Sequence, residues 1–331
     1  MRIYMKAKRK RIRMAPLLMA TAVILCLSSC SFIPGYTEPE DQYIISALGF
    51  DEDKDGLVVS AQTSSETGET RVYRGRGDSV EYAMAHLEGT DEKRIELGHC
   101  AMILIGTSIS SDRMREILEY CRRNDDVTVS AGVAAAYDAF ELLSHRDASG
   151  YSLIRAMRQG EDGSGISVKS RFYAIEDALA SEGSGGVFAL PYFSLSEDRW
   201  SIWGLRLFKN CEALTLLDRS ESALYTMLSG SFGGGMADVT VDGVGYSALF
   251  RSAKRRVKLD VGEITIICDL LLDSEIRQAF DENALTLAMS REAQELCRQL
   301  MERYGDVFGI AEALGCEGET LSGVAVKVVF E

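Results

Sequence analysis

The stretch "DQYIISALGFDEDKDGLVVSAQTSS", residues 41–65, carries the clearest fold signal in the chain. It contains two runs in which apolar and polar residues alternate, and the polar segment "DEDKDG" (51–56) separates them. Alternation with a period of two is typical of a strand with one buried face, and the polar break with its glycine indicates a turn. We therefore expect a β-hairpin here, and "ETRVYRG" (69–75) predicts a third strand beside it.

Strand and helix patterns alternate after this hairpin. The helix predicted at "DSVEYAMAHLEG" would have Asp78 as its N-cap and Glu81 as the partner in a capping box. Such alternation predicts a mixed sheet with helices packed on it. The segments are a helix at 78–89, a buried strand "CAMILIG" at 100–106, an amphipathic helix "SDRMREILEYCRRND" at 111–125, a strand "VTVSAGVAAA" at 127–136 and a short helix "YDAFELLSHRD" at 137–147.

The second half contains more strands. "IWGLRLFKNCEALTLL" (202–217) predicts a hairpin that turns at Asn210, and "SESALYTMLSG" (220–230) predicts a short helix. Three strand-like runs, a long helix at about 290–304 and a closing strand follow. We predict a multi-domain fold of the α+β or mixed α/β class. Its parts would be a cleaved segment 1–29, an N-terminal α/β domain 30–195 and a C-terminal α+β domain 196–331.

The charge is distributed unevenly along the chain. The net charge of the whole sequence is −14, but residues 1–29 contain seven basic residues and no acidic residue. The other 29 basic residues stand against 50 acidic ones, so the remainder has a net charge of −21. Phosphate backbones would repel such a body, so the composition argues against binding to nucleic acid.

The apolar run "LLMATAVILCLSSCSF" (17–32) follows the basic segment and predicts an export signal. Its apolar part is about 11 residues long, whereas a membrane-spanning helix needs roughly 20. Leu27, Ser28, Ser29 and Cys30 resemble a bacterial lipobox, in which the cysteine is acylated and the chain is cut before it. We expect Cys30 to carry a covalent lipid such as palmitate as the only added group and the membrane anchor. The alternative is an ordinary signal peptide with a chance cysteine.

Six cysteines remain after this processing, and none forms a CxxC pair. Export permits disulfides, but several of these cysteines occupy apolar positions of predicted helices and strands. We expect buried free thiols.

No segment gives a strong catalytic or metal-binding signal. "DEDKDG" resembles the start of an EF-hand loop, but Gln62 stands where the closing glutamate is needed, so we expect a solvated turn. His99 and Cys100 are adjacent without further ligands at zinc-site spacing, and we expect no metal. Nucleophile-elbow, phosphate-loop and HExxH motifs are absent from the sequence, so we expect no enzyme activity.

The segment "RSAKRRVKLD" (251–260) is the densest basic stretch after residue 30. In a strand, Lys254, Arg256 and Lys258 would share one face. This face could contact phospholipid headgroups or an acidic partner. Equally, it could be a solvated edge strand whose charges prevent unwanted pairing.

Several of these segments, in this order, resemble the Ger(x)C family, the lipoprotein C subunits of spore germinant receptors. The lipobox is followed by "ISALGFDEDKDGLVVSAQ" (45–62), which is similar to the family's opening hairpin. "LGHCAMILIG" (97–106) resembles the family's Gly-His strand. "ILEYCRRNDDVTVSAGVAAA" (117–136), "WGLRLFKNCEALTLLDRSESALYTMLSG" (203–230), "RSAKRRVKLDVGEITIICDLLLD" (251–273) and "MERYGDVFGIAEAL" (301–314) are similar to later segments. The Pro- and Trp-containing stretch of the family near the C-terminus is missing or much shortened.

The resemblance implies a non-catalytic lipoprotein on the outer face of the spore inner membrane. It would assemble with two integral-membrane subunits, A and B, in a receptor for nutrient germinants. The family offers no catalytic residues to carry over, and Cys30 is the position whose chemistry transfers. Two other functions stay open: a solute-binding lipoprotein of a transporter, and an exported hydrolase.

Overall fold

The computed structural model describes residue 19 and residues 42–64, 70–89, 94–163, 168–181, 185–196, 199–241, 243–260, 263–272, 281–315 and 323–330. The lipobox residues Leu27, Ser28, Ser29 and Cys30 lie outside this part of the chain. Residues Tyr43–Glu331 form one compact unit.

The described elements follow one another in a strand-rich order. The first are β1 (Gln42–Asp53), β2 (Gly56–Ser64), β3 (Thr70–Gly77), α1 (Val80–Glu88), β4 (Arg94–Glu96), β5 (Met102–Gly106), α2 (Ser111–Arg123), β6 (Gly132–Ala136), α3 (Ala139–Ser144), α4 (Gly150–Gly163), α5 (Phe172–Ala180), β7 (Val187–Ser196) and β8 (Arg199–Lys209). The others are β9 (Glu212–Leu217), α6 (Arg219–Ser229), β10 (Gly235–Val241), β11 (Val244–Asp260), β12 (Glu263–Leu272), α7 (Glu282–Tyr304), α8 (Ile310–Leu314) and β13 (Val324–Phe330).

Nine of the described strands form the larger sheet, in the order β3-β2-β1-β5-β6-β7-β8-β9, with β4 also paired to β1. Its centre, from β1 through β5 and β6 to β7, is parallel, and antiparallel hairpins flank it on both sides. Every residue of β5 and β6 is buried, as expected of central parallel strands covered on both faces. The predicted hairpin, third strand and mixed sheet are confirmed.

The two faces of the larger sheet pack against different helices. Along β5, Ile103 and Ile105 join a core with α1, α2 and α5, whereas Met102 and Leu104 join a core with α3 and α4. Successive residues of a strand point to opposite faces, so one short apolar run supplies both cores.

The other four described strands form the smaller sheet, in the order β10-β11-β12-β13. The first three strands are antiparallel, and β13 runs parallel to β12. One face packs on α6 and α7 through a core that includes Phe250, Ile266 and Leu296. The mixed fold with helices packed on its sheets is therefore the fold observed.

Two local predictions are corrected. The N-cap of α1 is Ser79 and not Asp78, because Ser79 has the extended backbone and its Oγ accepts from the Tyr82 amide at 3.2 Å. The long helix α7 begins at Glu282, eight residues before the predicted start. Its Leu287 is 74% exposed, which breaks the apolar periodicity of the first turns. The sequence also gave no clear prediction for α4.

The expected domain boundary after residue 195 stays a prediction. On either side of it, β7 and β8 are antiparallel neighbours in one sheet, and their ladder runs from Val187–Lys209 to Ser196–Arg199. Among the described residues, no helix combines the length and the apolar composition that crossing a bilayer requires.

Candidate functional site

The basic stretch singled out in the sequence forms the second half of β11. Lys254, Arg256 and Lys258 are all exposed and alternate along the strand, so they share the face opposite the core. Their partners across the ladder on β12 are Asp269, Ile267 and Thr265, respectively. The sequence prediction that these three cations lie on one face agrees with this register. What they contact remains a proposal.

Arg256 forms a two-pronged ion pair with Asp269. Its Nε and Nη2 donate to the two carboxylate oxygens at 2.6 and 2.7 Å. The parallel donors of a guanidinium match a carboxylate in this way. The hydrogen bonds from Arg256 lower the pKa of Asp269, so the carboxylate is charged at neutral pH. This pair fixes one cation of the face and leaves Lys254 and Lys258 on either side of it.

Arg255 points to the other face of β11, toward the core. Its Nη1 lies 3.4 Å from the carbonyl oxygen of Ser229, at the C-terminal end of α6. Its Nε and Nη2 are buried, and neither has a hydrogen-bond acceptor in the described part of the chain. Burial lowers the pKa of Arg255, although a guanidinium stays protonated at neutral pH.

The burial of Arg255 among exposed basic residues was not predicted from the sequence. Its position along the strand was the available signal. Ala253, Arg255 and Val257 alternate with the exposed cations and therefore belong to the apolar face. A charged residue in such a series is buried. A buried polar residue says more about a protein's function than an exposed one.

A cavity of about 760 Å³ opens beside this arginine. It lies between the end of α6 and the middle of β11, and it is open to solvent. Its lining residues are Ser229, Gly230, Ala253, Lys254, Arg255, Arg256 and Asp269. Four of them are consecutive in one strand, so they include side chains of both faces, and the cavity therefore runs along the strand's edge.

The other candidates from the sequence have structural roles. In the "DEDKDG" turn, Asp53 forms a two-pronged pair with Arg76 at 2.9 and 2.7 Å and also accepts from the Asp55 amide. His99 is exposed in a turn, whereas Cys100 is buried and its thiol donates to the Met102 carbonyl oxygen. Within the described residues, no three His, Cys, Asp or Glu side chains converge as metal ligands.

The expected free thiols are confirmed for the part of the chain that is described. Cys100, Cys121, Cys211, Cys268 and Cys297 are reduced and buried. Burial raises the pKa of Cys100, Cys121 and Cys268 to about 12, so these thiols are protonated and poor nucleophiles at neutral pH. Cys316 lies outside the described residues.

Comparisons with known proteins identify relatives for most of the chain. Residues 35–195 match the sequence model of the spore germination protein N-terminal domain. The spore germination protein GerQC of Bacillus cereus is 20% identical over 300 aligned residues, which cover 82% of either chain. Among solved structures, the crystal structure of the GerBC protein aligns with 86% of this chain and 96% of its own. It has 14% identity and a TM-score of 0.48.

The matched domain covers the segments in which the first half of the chain resembles germinant-receptor C subunits. These include the opening hairpin β1–β2, helix α1 and the central strands β5 and β6. The relative from B. cereus extends the similarity into the second half. Residues 35–195 therefore contain a spore germination protein N-terminal domain, and the chain as a whole resembles the Ger(x)C proteins.

Proposed function

We propose that this protein is a lipid-anchored, non-catalytic subunit of a nutrient germinant receptor that acts in spore germination. It would be held on the outer face of the spore inner membrane through an acylated Cys30, after removal of residues 1–29. It would need no cofactor apart from that lipid. The observation that carries the proposal is the family match over residues 35–195, directly after a lipobox at Leu27, Ser28, Ser29 and Cys30.

The partners in this proposal are the integral-membrane receptor subunits A and B and the membrane itself. Lys254, Arg256 and Lys258 present a cationic face on an otherwise acidic protein, which suits anionic headgroups or an acidic partner surface. Nucleic acid is not among the expected partners, because the net charge of −21 that remains after residue 29 repels phosphates.

The antiparallel ladder β10-β11-β12 supports this role over that of a solute-binding lipoprotein. Solute-binding proteins close two doubly wound domains about a hinge, and such domains contain mainly parallel sheets with helices on both faces. No specific observation favours the transporter function.

The anchor is tested by replacing Cys30 with alanine in the full chain. We expect the variant protein to accumulate unprocessed, or to leave the membrane fraction, because the acyl chains supply the membrane affinity. Labelling with a radioactive fatty acid and fractionation of the membranes measure both outcomes. A correctly cleaved Cys30→Ala protein that stays in the membrane fraction contradicts the anchor.

The receptor role is tested by deleting the gene in a strain that lacks other germinant receptors. We expect the spores to lose their response to nutrients and to keep their response to germinants that bypass receptors. The fall in optical density that accompanies germination measures this. Normal nutrient germination of the deletion strain contradicts the proposal.

A further inference from the structure

The 17-residue strand β11 changes its ladder partner along its length, from β10 in its first part to β12 in its second. Its first part pairs with β10 from Val244 to Phe250 and continues past a bulge. From Ser252 to Asp260 it pairs with β12, and no described residue pairs with its other edge. Backbone N–H and C=O groups on such an edge are ready to pair with a further extended chain.

This open edge coincides with the basic stretch. Arg251, Lys254, Arg255, Arg256 and Lys258 lie within eight residues, in a protein whose net charge is −14. The hydrogen bonds from Arg256 satisfy Asp269, so that carboxylate is already engaged. A local positive potential attracts acidic partners and repels basic ones, and thereby contributes specificity.

Arg255 carries buried donors without acceptors among the described residues, which a solvated edge strand alone does not explain. Two of its N–H-bearing nitrogens are buried without an acceptor in the described part of the chain, and such groups destabilise a folded protein. Buried donors without acceptors are uncommon in native proteins, and each one calls for an explanation such as a bound water, an ion or a partner group. The cavity beside Arg255 is open to solvent and large enough for several side chains.

We propose that the open edge of β11 at Ala253–Lys258 binds an extended acidic segment of a partner protein, one carboxylate of which accepts from Arg255. The segment adds a strand to the smaller sheet, and Lys254 and Arg256 border its acidic side chains. This inference rests on the proposed role as a receptor subunit, because it assumes a protein partner.

A membrane surface fits these features less well. Headgroups could contact the exposed Lys254, Arg256 and Lys258, but a bilayer supplies no backbone partner for the strand edge. It also does not reach a guanidinium on the core-facing side of the sheet. An extended peptide satisfies both requirements at once.

The test uses the purified full chain in a neutral detergent and a defined probe. The probe is a fluorescein-labelled octapeptide of alternating Glu and Thr with blocked ends, and its binding is followed by fluorescence anisotropy. We expect saturable binding that weakens about tenfold or more in Arg255→Met and in Lys254→Glu. Lys327→Met is the matched control, because Lys327 is an exposed cation on β13, two strands away from the open edge. It should change the affinity less than about twofold.

A second probe separates strand pairing from simple charge attraction. The same peptide with alternate amides N-methylated keeps every carboxylate and loses half of its backbone donors. We expect it to bind about tenfold more weakly or worse. Arg255→Met should also raise the Tm of the chain, because it removes unsatisfied buried donors, while it lowers peptide affinity. A higher Tm together with weaker binding would show that the variant loses affinity without unfolding. Lys254→Glu gives a second variant, at a residue outside the core.

Three results overturn the proposal. One is the absence of saturable binding up to about 1 mM peptide, which indicates an edge that is protected by its charge. Another is equal affinity for the methylated and unmethylated peptides. The third is Arg255-dependent binding to phosphatidylglycerol vesicles in place of the peptide, which indicates a lipid site. None of them alters the result of the Cys30 or gene-deletion experiments, so failure of this inference is distinguishable from failure of the proposed function.

Discussion

Gln62 shows how one buried polar side chain organises the first half of the molecule. It is fully buried in β2, and its Nε2 donates to the carbonyl oxygens of Leu143 and Ala148. Its Oε1 accepts from the Gly150 amide at 2.9 Å and from Ser46 Oγ at 3.2 Å. The side chain thereby satisfies the backbone of the turn between α3 and α4 and holds it against the sheet.

We predict that Gln62→Met lowers the free energy of unfolding by about 3 kcal/mol. Methionine has a similar volume but leaves the Gly150 amide and two carbonyl oxygens buried without partners. Urea denaturation of the full chain measures the effect. The matched control is Gln299→Met on the exposed face of α7, which should change stability by less than about 0.5 kcal/mol. Equal effects of the two substitutions would contradict the role assigned to Gln62.

At the scale of single elements, substitutions at the start of α1 test which residue is its N-cap. Ser79 Oγ accepts from the Tyr82 amide, and Glu81, the expected capping-box partner of Asp78, instead pairs with Arg123. We predict that Ser79→Ala costs about 1 kcal/mol. Asp78→Ala is the neighbouring control and should cost less than about half of that. Chemical denaturation measures both, and a larger loss for Asp78→Ala would restore the cap inferred from the sequence.

The pairing of β11 with β12 provides a pH-dependent test. The hydrogen bonds from Arg256 hold the pKa of Asp269 below its ordinary value of 3.8, so the folded state favours the charged carboxylate. Its contribution to stability is therefore fully present above that value and is lost as the pH falls through the lowered pKa.

We predict a coupling free energy of about 1 kcal/mol between Arg256 and Asp269 at pH 7, limited by the exposure of Arg256. A double-mutant cycle with Arg256→Met and Asp269→Asn measures this coupling. The coupling should decline when the cycle is repeated below pH 4. A coupling that stays constant on acidification would contradict the ion pair.

At the scale of the whole molecule, the thiols report how tightly the described cores are closed. Cys121, Cys268 and Cys297 lie in α2, β12 and α7, whereas Cys100 and Cys211 lie in the connections before β5 and β9; all five are buried. We predict that they resist alkylation at pH 8 in the native chain and react fully in guanidinium chloride, because the thiolate is the reactive form. Mass spectrometry of the alkylated peptides identifies each site. Rapid labelling of Cys100 or Cys121 in the native protein would show that the core opens locally.

The elements of the fold that could be predicted are those whose sequence signal lies within a short stretch of the chain. The hairpin β1–β2, the buried runs of β5 and β6 and the amphipathic α2 were all predicted, because period and composition identify them within a dozen residues. The first turns of α7 were not, since Leu287 is an exposed apolar residue within them. Helix α4 was also missed. The sequence did not predict which strands pair with each other, because pairings such as β1 with β5 join segments about fifty residues apart.

The sequence by itself indicated the class of the fold, the resemblance to the Ger(x)C family and the candidate lipid anchor at Cys30. These depend on period, composition and the order of motifs along the chain. The tertiary structure alone decided which side of β11 remains unpaired, where α6 ends against it and which of its cations is buried. Such properties arise where segments distant in the sequence meet, and pairing and burial depend on those neighbours. For Arg255, this placement distinguishes a charged group with unsatisfied donors from the exposed cations on either side of it.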